Sequence, residues 1–207
     1  MQRKIIETAD GSKTIHIEDW DEHYHSINGA HQEAMHVFIK KARERIAERK
    51  EISILEMGFG TGLNTLLSLE FANKQHLSIE YETIEPFPLD YQEIKALNFK
   101  PFFMENNSED LFKKLHLSSW EKISLINKHF TILKKKTTLA SFNSDTTYDL
   151  IYYDAFGFRV QPEMWSEKAF RPLIHSLADR GVFVTYSAKG SVRRILESFG
   201  LKVSRIQ

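Results

Sequence analysis

At 207 residues the chain is sized for one domain with some extension, and it is long enough to bury a real core. Apolar residues at 42%, charged residues at 27% and an even balance of 28 basic and 28 acidic side chains give a globular profile. The absence of cysteine excludes disulfides, thiolate metal sites and a cysteine nucleophile.

No apolar run approaches the ~20 residues that cross a membrane, and residues 1–20 lack the apolar core of a signal peptide. The expectation is a cytoplasmic protein with no membrane partner. A neutral total does not forbid nucleic acid, because a local basic patch is what binds phosphate. Candidate patches are residues 40–50, Lys134 to Lys136, and Arg193 with Arg194.

In chain order, residues 1–30 are polar, with short alternating stretches that predict a hairpin or strand arm. Residues 31–50 read as a helix, because Met35, Phe38, Ile39, Ala42 and Ile46 recur at spacings of three and four. Residues 52–57 form a buried-strand pattern that runs into a glycine turn. Helix 63–72, strand 76–85 and helix 88–97 follow. Residues 99–128 are less regular, with a helix expected at 109–115. Strands are expected at 130–133, 148–154, 181–187 and 201–206, with helices at 162–177 and 192–199. Strands alternating with helices predict an α/β fold, a doubly wound and mainly parallel sheet. The expected division is an N-terminal arm and helix at 1–50, packed on a catalytic domain at 51–207.

The glycine turn is the most informative segment. Glu56-Met57-Gly58-Phe59-Gly60-Thr61-Gly62-Leu63-Asn64 lies between a strand and a helix, at the first crossover. Glycines allow tight turning and close approach of a ligand. A dinucleotide fingerprint would need glycine at 63, where Leu63 stands. The observed G-x-G-x-G spacing after an acid, Glu56, resembles the first motif of Rossmann-like methyltransferases. Its ligand has no pyrophosphate, and an acid suits a cationic amine. Glu85 ends the next strand, where a carboxylate can accept from both ribose hydroxyls. The bland alternative is a tight turn followed by a solvated acid.

Asp154 ends the apolar strand 148–154 and is expected in the same crevice, with Phe156 as an aromatic wall for cations. Methylating an amine needs the neutral amine aligned behind the methyl group. A carboxylate can orient its N–H bonds and stabilise the developing charge. With an ordinary pKa near ~3.9, Asp154 is a poor base at neutral pH, so orientation and electrostatics are the expected roles. A helix-capping carboxylate is the alternative.

These segments, with residues 21–39, 81–89, 154–165 and 185–194, resemble one family. It is the methyltransferase that finishes 5-methylaminomethyl-2-thiouridine at the tRNA wobble position, either as the N-terminal half of the bifunctional MnmC protein or as a stand-alone MnmD-type chain. The resemblance implies a Rossmann-like class I fold, S-adenosyl-L-methionine as cofactor, and the tRNA anticodon loop as partner. It also implies methylation of the 5-aminomethyl nitrogen of the wobble uridine. On this resemblance Glu56, Gly58, Gly60, Gly62 and Glu85 hold the cofactor and Asp154 is catalytic. Tyr24, Ser26 and Glu33 line the pocket from the arm.

Lys189, Arg193, Arg194 and Lys134 to Lys136 are candidate phosphate contacts. Trp165 is either a base-stacking surface or core. Residues 157–160 (Gly-Phe-Arg-Val) depart from the family pattern, and Arg159 is the charge left there. The family's glycine-containing tail lies beyond residue 207, and no oxidase half, hence no flavin, is expected in this chain.

Nine histidines raise a metal reading. His31 and His36 are five apart, which is not the helical zinc spacing, so no metal is expected. The rivals are a spermidine-synthase-like aminopropyltransferase, which shares the fold and an acid after the fourth strand, and a non-catalytic cofactor- or RNA-binding relative.

Overall fold

The computed structural model describes residues 2–46, 49–99, 102 and 108–205. The chain opens with a small antiparallel sheet of β1 (Arg3–Glu7), β2 (Lys13–Ile17) and β3 (Glu22–His23). This is the expected arm with a third strand added. The expected single helix at 31–50 is three consecutive pieces, α1 (Ala30–Ala34), a π-helical turn (Met35–Lys40) and α2 (Lys41–Arg45). Of its periodic residues, Phe38, Ile39, Ala42 and Ile46 are buried, while Met35 is partly buried against the core. Ala47 and Glu48 of the expected helix lie outside the described residues.

The remaining elements are β4 (Glu51–Met57), α3 (Leu63–Gln75), β5 (Ser78–Ile84), α4 (Tyr91–Ala96), α5 (Ser108–Leu117), β6 (Ile123–Asn127), β7 (Phe130–Lys135), β8 (Tyr148–Tyr153), α6 (Glu167–His175), β9 (Leu177–Thr185) and α7 (Gly190–Ser198). They build a six-stranded sheet in the order β6-β7-β5-β4-β8-β9. All neighbours are parallel except β6 and β7, which form a hairpin. The central strands bury both faces. Ile54, Leu150 and Tyr152 pack beneath α1, the π turn and α3, while Leu55, Ile151 and Tyr153 face α6 and α7. That two-sided burial explains why β4 and β8 read as continuous apolar runs rather than alternating ones.

Three further expectations fail. The helix expected at 162–177 is a 3₁₀ turn (Pro162–Trp165) followed by α6, with Ser166 extended between them and Leu177 already in β9. β6 was read as irregular, because its outward residues Ile123 and Leu125 are exposed apolar side chains on a sheet edge and give no in-out alternation. The last expected strand does not form over residues 201–205, and Ile206 lies outside the described residues. Among the described residues this segment pairs with no strand. Its hydrophobics Leu201 and Val203 pack on the second core cluster instead.

Candidate active site

β4 and β8 run side by side, with Glu56 opposite Tyr152 and Met57 opposite Tyr153. The chain leaves β4 toward β5 on one side and enters β8 on the other, so the winding reverses between them. That reversal opens a crevice beyond the carboxyl ends of the two strands. Gly58 and Asp154 are the first residues past those ends. The Gly58 N–H donates to the Ile84 carbonyl at 2.9 Å, and the Asp154 N–H donates to the Met57 carbonyl at 3.1 Å. A Cβ on Gly58, whose φ is 95°, would stand 2.7 Å from the Asp154 carbonyl oxygen. Glycine is what lets the turn lie against the end of β8.

The turn then meets the second acid. The Gly60 N–H donates to Glu85 Oε2 at 3.0 Å, and the Phe87 N–H donates to Glu85 Oε1 at 2.9 Å. Glu85 therefore lies beside the turn, at the end of β5, as its place in the sequence predicts. Burial raises its pKa, partly offset by these two N–H donors and by Arg3.

Among the described residues Asp154 is gripped on one oxygen. Asn64 Nδ2 donates to its Oδ2 at 2.8 Å. Burial pushes the Asp154 pKa up to about 7; the Asn64 bond opposes the rise and the nearby Glu33 carboxylate adds to it. The ordinary value assumed from sequence does not hold here, and proton transfer to Asp154 becomes feasible near neutral pH.

The crevice is a cavity of about 850 Å³. Among the described residues five carboxylates, Glu22, Glu33, Glu85, Asp154 and Glu163, line it, against a single lysine or arginine, Arg3, which is itself paired with Glu93 at 3.1 Å. Such a surface favours cationic ligands. One wall is aromatic: Phe156 meets Trp20 and Tyr24 edge-on, with ring centroids 5.5 and 5.1 Å apart. The arm reaches this wall because it is tied down. His25 Nε2 and Thr61 Oγ1 lie 2.6 Å apart, and burial drops the His25 pKa to about 4, so the ring is neutral. Burial raises the Glu33 pKa, partly opposed by the Ser26 backbone.

The cavity thus gathers Gly58, Gly60, Glu85, Asp154, Phe156, Tyr24, Ser26 and Glu33 from the sequence-derived set. It does not gather the rest. Glu56 is wholly buried beneath the turn, where its Oε2 accepts from Thr65 at 3.0 Å and Thr83 at 2.9 Å. Burial pushes its pKa up to about 8. It braces the turn from below and does not line the cavity. Gly62 starts α3 at φ 73°, with the His116 ring occupying the space of any side chain.

Lys189, Arg193 and Arg194 also lie outside the cavity, at the start of α7. The Lys189 ammonium sits 4.0 Å from the Phe158 ring centroid, and Arg193 pairs with Glu197. Lys134 is a correction. It is 1% exposed and donates to the Leu115 and His116 carbonyls at 3.1 and 2.9 Å, so it caps α5 and cannot meet a phosphate. Lys135 is paired with Glu82 at 2.7 Å.

Trp165 is core. It is 3% exposed, and its indole N–H donates to the Phe156 carbonyl at 2.8 Å, which fixes the aromatic wall. Arg159 spends its charge on the arm, at the Asp21 carbonyl and Glu22.

Among the cavity residues to which sequence reasoning gave no role are Arg3, Trp20, Glu22, Asn64, Phe87, Glu163 and Tyr186. Asn64 closes the glycine motif and was legible as part of it. Tyr186, whose hydroxyl donates to the Ala155 carbonyl at 2.8 Å, carried no signal beyond its segment. Phe87 is 74% exposed at the rim, an unusual place for a phenylalanine. Among the described residues no group of three or more histidines and acids is placed to hold a metal, and no helix is long and apolar enough to cross a membrane.

Residues 132–207 match the family model of an S-adenosyl-L-methionine-dependent methyltransferase. The chain is 29% identical to the tRNA 5-methylaminomethyl-2-thiouridine biosynthesis bifunctional protein MnmC of Leptospira interrogans, over 91% of its own length and 31% of the relative's. To the MnmC of Methylobacillus flagellatus it is 26% identical, over 88% and 30% of the two chains. It therefore spans about a third of the curated relatives it matches. The crystal structure of MNMC2 from Aquifex aeolicus superposes with a TM-score of 0.77 at 26% identity, over 97% of this chain and 65% of that one. The chain has the Rossmann-like methyltransferase fold, and its sequence is similar to the MnmC proteins over about a third of their length.

Proposed function

We propose that this chain is an S-adenosyl-L-methionine-dependent N-methyltransferase acting on the 5-aminomethyl group of (2-thio)uridine at the tRNA wobble position. The observation that carries the reading is Asp154, with one oxygen held and the other open, in an acid-lined cavity against a glycine turn. The residues fit the cofactor's chemistry. The cavity's excess of carboxylates suits a sulfonium and an ammonium, the aromatic wall suits either cation, and Glu85 beside the Gly60 N–H suits ribose hydroxyls. Gly58, Gly60 and Glu85 would hold the cofactor directly, with Glu56 and Gly62 shaping the turn.

When bound, S-adenosylmethionine would supply an electrophilic methyl to the amine nitrogen, leaving as the neutral thioether, and the nitrogen would give up one proton. Asp154 orients the amine and accepts that proton, its raised pKa matching the task. Tyr24, Trp20 and Phe156 keep water from the amine. On this reading residues 1–50 are an arm closing one wall and 51–207 are the catalytic domain. The wobble base lies in a single-stranded loop, so it enters without duplex opening. Exposed Phe87 and Ile27 at the rim receive neighbouring bases, and Lys189, Arg193 and Arg194 meet backbone phosphates outside the cavity.

An acid-lined cavity also suits a polyamine acceptor, as in an aminopropyltransferase. Tritiated methyl transfer to tRNA with 5-aminomethyluridine at the wobble position, to the same tRNA with plain uridine, and aminopropyl transfer to putrescine separate the readings. Label on the first acceptor alone is expected. Aminopropyl transfer to putrescine would replace the reading, and cofactor binding with no transfer to any acceptor would make the chain a non-catalytic relative.

A further inference from the structure

The last rung between β8 and β9 pairs Tyr153 with Thr185, so Asp154 and Tyr186 are the first residues beyond that ladder. A chain that leaves a sheet loses its ladder partners, and its buried carbonyls must find others. Here two side chains supply them. The Tyr186 hydroxyl donates to the Ala155 carbonyl at 2.8 Å, and the Trp165 indole N–H donates to the Phe156 carbonyl at 2.8 Å. The two rings meet edge-on, with centroids 5.7 Å apart. They differ in place. Trp165 belongs to the core, whereas Tyr186 is 39% exposed and lines the cavity. Burial, with the acids Asp154, Glu22 and Glu33 nearby, pushes the Tyr186 pKa up, so the hydroxyl keeps its proton and stays a donor.

We infer that Tyr186 is a positioning residue for the transfer step: by holding the Ala155 carbonyl it sets the direction in which the Asp154 carboxylate faces the amine. The inference rests on the reading of the chain as an amine methyltransferase. Side chains alternate along β8. Tyr153 faces α6 and α7, while Asp154 turns to the Tyr152 side and meets Asn64 of α3. On one flank Asp154 is fixed through its N–H, by the Met57 carbonyl. On the other flank the chain is fixed at the Ala155 and Phe156 carbonyls. Without the hydroxyl the Ala155 carbonyl loses this donor, and the backbone beside Asp154 is free to turn. A misplacement of about 1 Å in a group that aligns reactants can cost about a hundredfold in rate. The glycine turn is anchored elsewhere, at the Ile84 carbonyl and Glu85, so cofactor binding does not pass through this bond.

Tyr186→Phe removes the hydroxyl and keeps the ring beside Trp165. The test compares it with wild type, with Asp154→Ala and with the double variant. Two readouts apply: calorimetric affinity for S-adenosylmethionine, and kcat for methyl transfer to tRNA carrying 5-aminomethyluridine at the wobble position. Tyr186→Phe is expected to keep cofactor affinity within about twofold and to lower kcat about tenfold, the scale of one lost hydrogen bond at an aligned group. In the Asp154→Ala background the same change should lower the residual rate no further, because the group it positions is gone. Wild-type kcat in a folded Tyr186→Phe protein would overturn the inference and leave the methyltransferase reading standing. An equal fractional loss in both backgrounds would also overturn it, since Tyr186 would then act independently of Asp154. No transfer by wild type, with the cofactor bound, would overturn both.

Discussion

Placing an alanine at each of two glycines in the turn separates close approach from mere flexibility. At Gly58 the added Cβ meets the Asp154 carbonyl oxygen at 2.7 Å, and the φ of 95° lies outside the left-handed well that other residues tolerate. Backbone strain of that kind costs about 1–3 kcal/mol, and forcing apart two packed backbones adds about 1–3 kcal/mol more. At Gly60 the φ is 50°, within the left-handed region, and the added Cβ stands 3.3 Å from the Tyr24 ring, a side chain that can shift. That substitution should cost roughly 1–2 kcal/mol. Urea unfolding of each variant, with S-adenosylmethionine affinity by calorimetry, checks the order. Gly58→Ala should lose a large share of a typical 5–15 kcal/mol stability and detectable cofactor binding, while Gly60→Ala stays folded with weakened binding. Equal stability and equal affinity in the two variants would refute the claim that the turn is pressed against the end of β8.

Three further outcomes follow from the same geometry. With the Asp154 pKa raised to about 7, the ionised form grows as pH rises, so kcat/KM should climb about tenfold per unit below pH 7 and level off above it. The groups facing Asp154 are Glu33 from α1, Glu56 from β4, Tyr186 after β9 and Asn64 from α3. A pH-independent rate between 5 and 8 would contradict this.

Glu56 is raised from 4.5 to about 8, so the folded state favours its protonated form. Its contribution is full below about pH 4.5 and is lost as pH rises through about 8. Thermal melts of Glu56→Gln should therefore fall less steeply than wild type across that window. Lys134→Ala should destabilise the fold without changing the salt dependence of RNA binding, whereas Arg194→Ala should lower the slope of log affinity against log salt by about one. An intact fold with weakened RNA binding in Lys134→Ala would reverse that assignment.

The glycine turn was legible because its chemistry is local. Three glycines, a strand before and a helix after fix a crossover whatever surrounds it, and Asp154 and Glu85 followed from standing at strand ends. Residues whose role depends on the neighbour they meet were not legible. Glu56 carried an acid's signature but is turned under the turn by Thr65 and Thr83, which lie nine and 27 residues away. Lys134 sits in a basic triplet, yet its strand alternation sends it inward to the end of α5. The π turn at Met35–Lys40 kept the helical period intact, so the sequence showed the buried face and hid the change of winding. β6 escaped because an edge strand with exposed apolar residues breaks the alternation by which strands are recognised.

The most direct test is Asp154→Ala, assayed twice on the same preparation: calorimetric affinity for S-adenosylmethionine, and methyl transfer to tRNA carrying 5-aminomethyluridine at the wobble position. Affinity within a few-fold of wild type with transfer reduced at least about a hundredfold, the usual loss on removing a general base, is the expected result. Near-wild-type transfer by the variant would contradict the assignment of Asp154 to the amine.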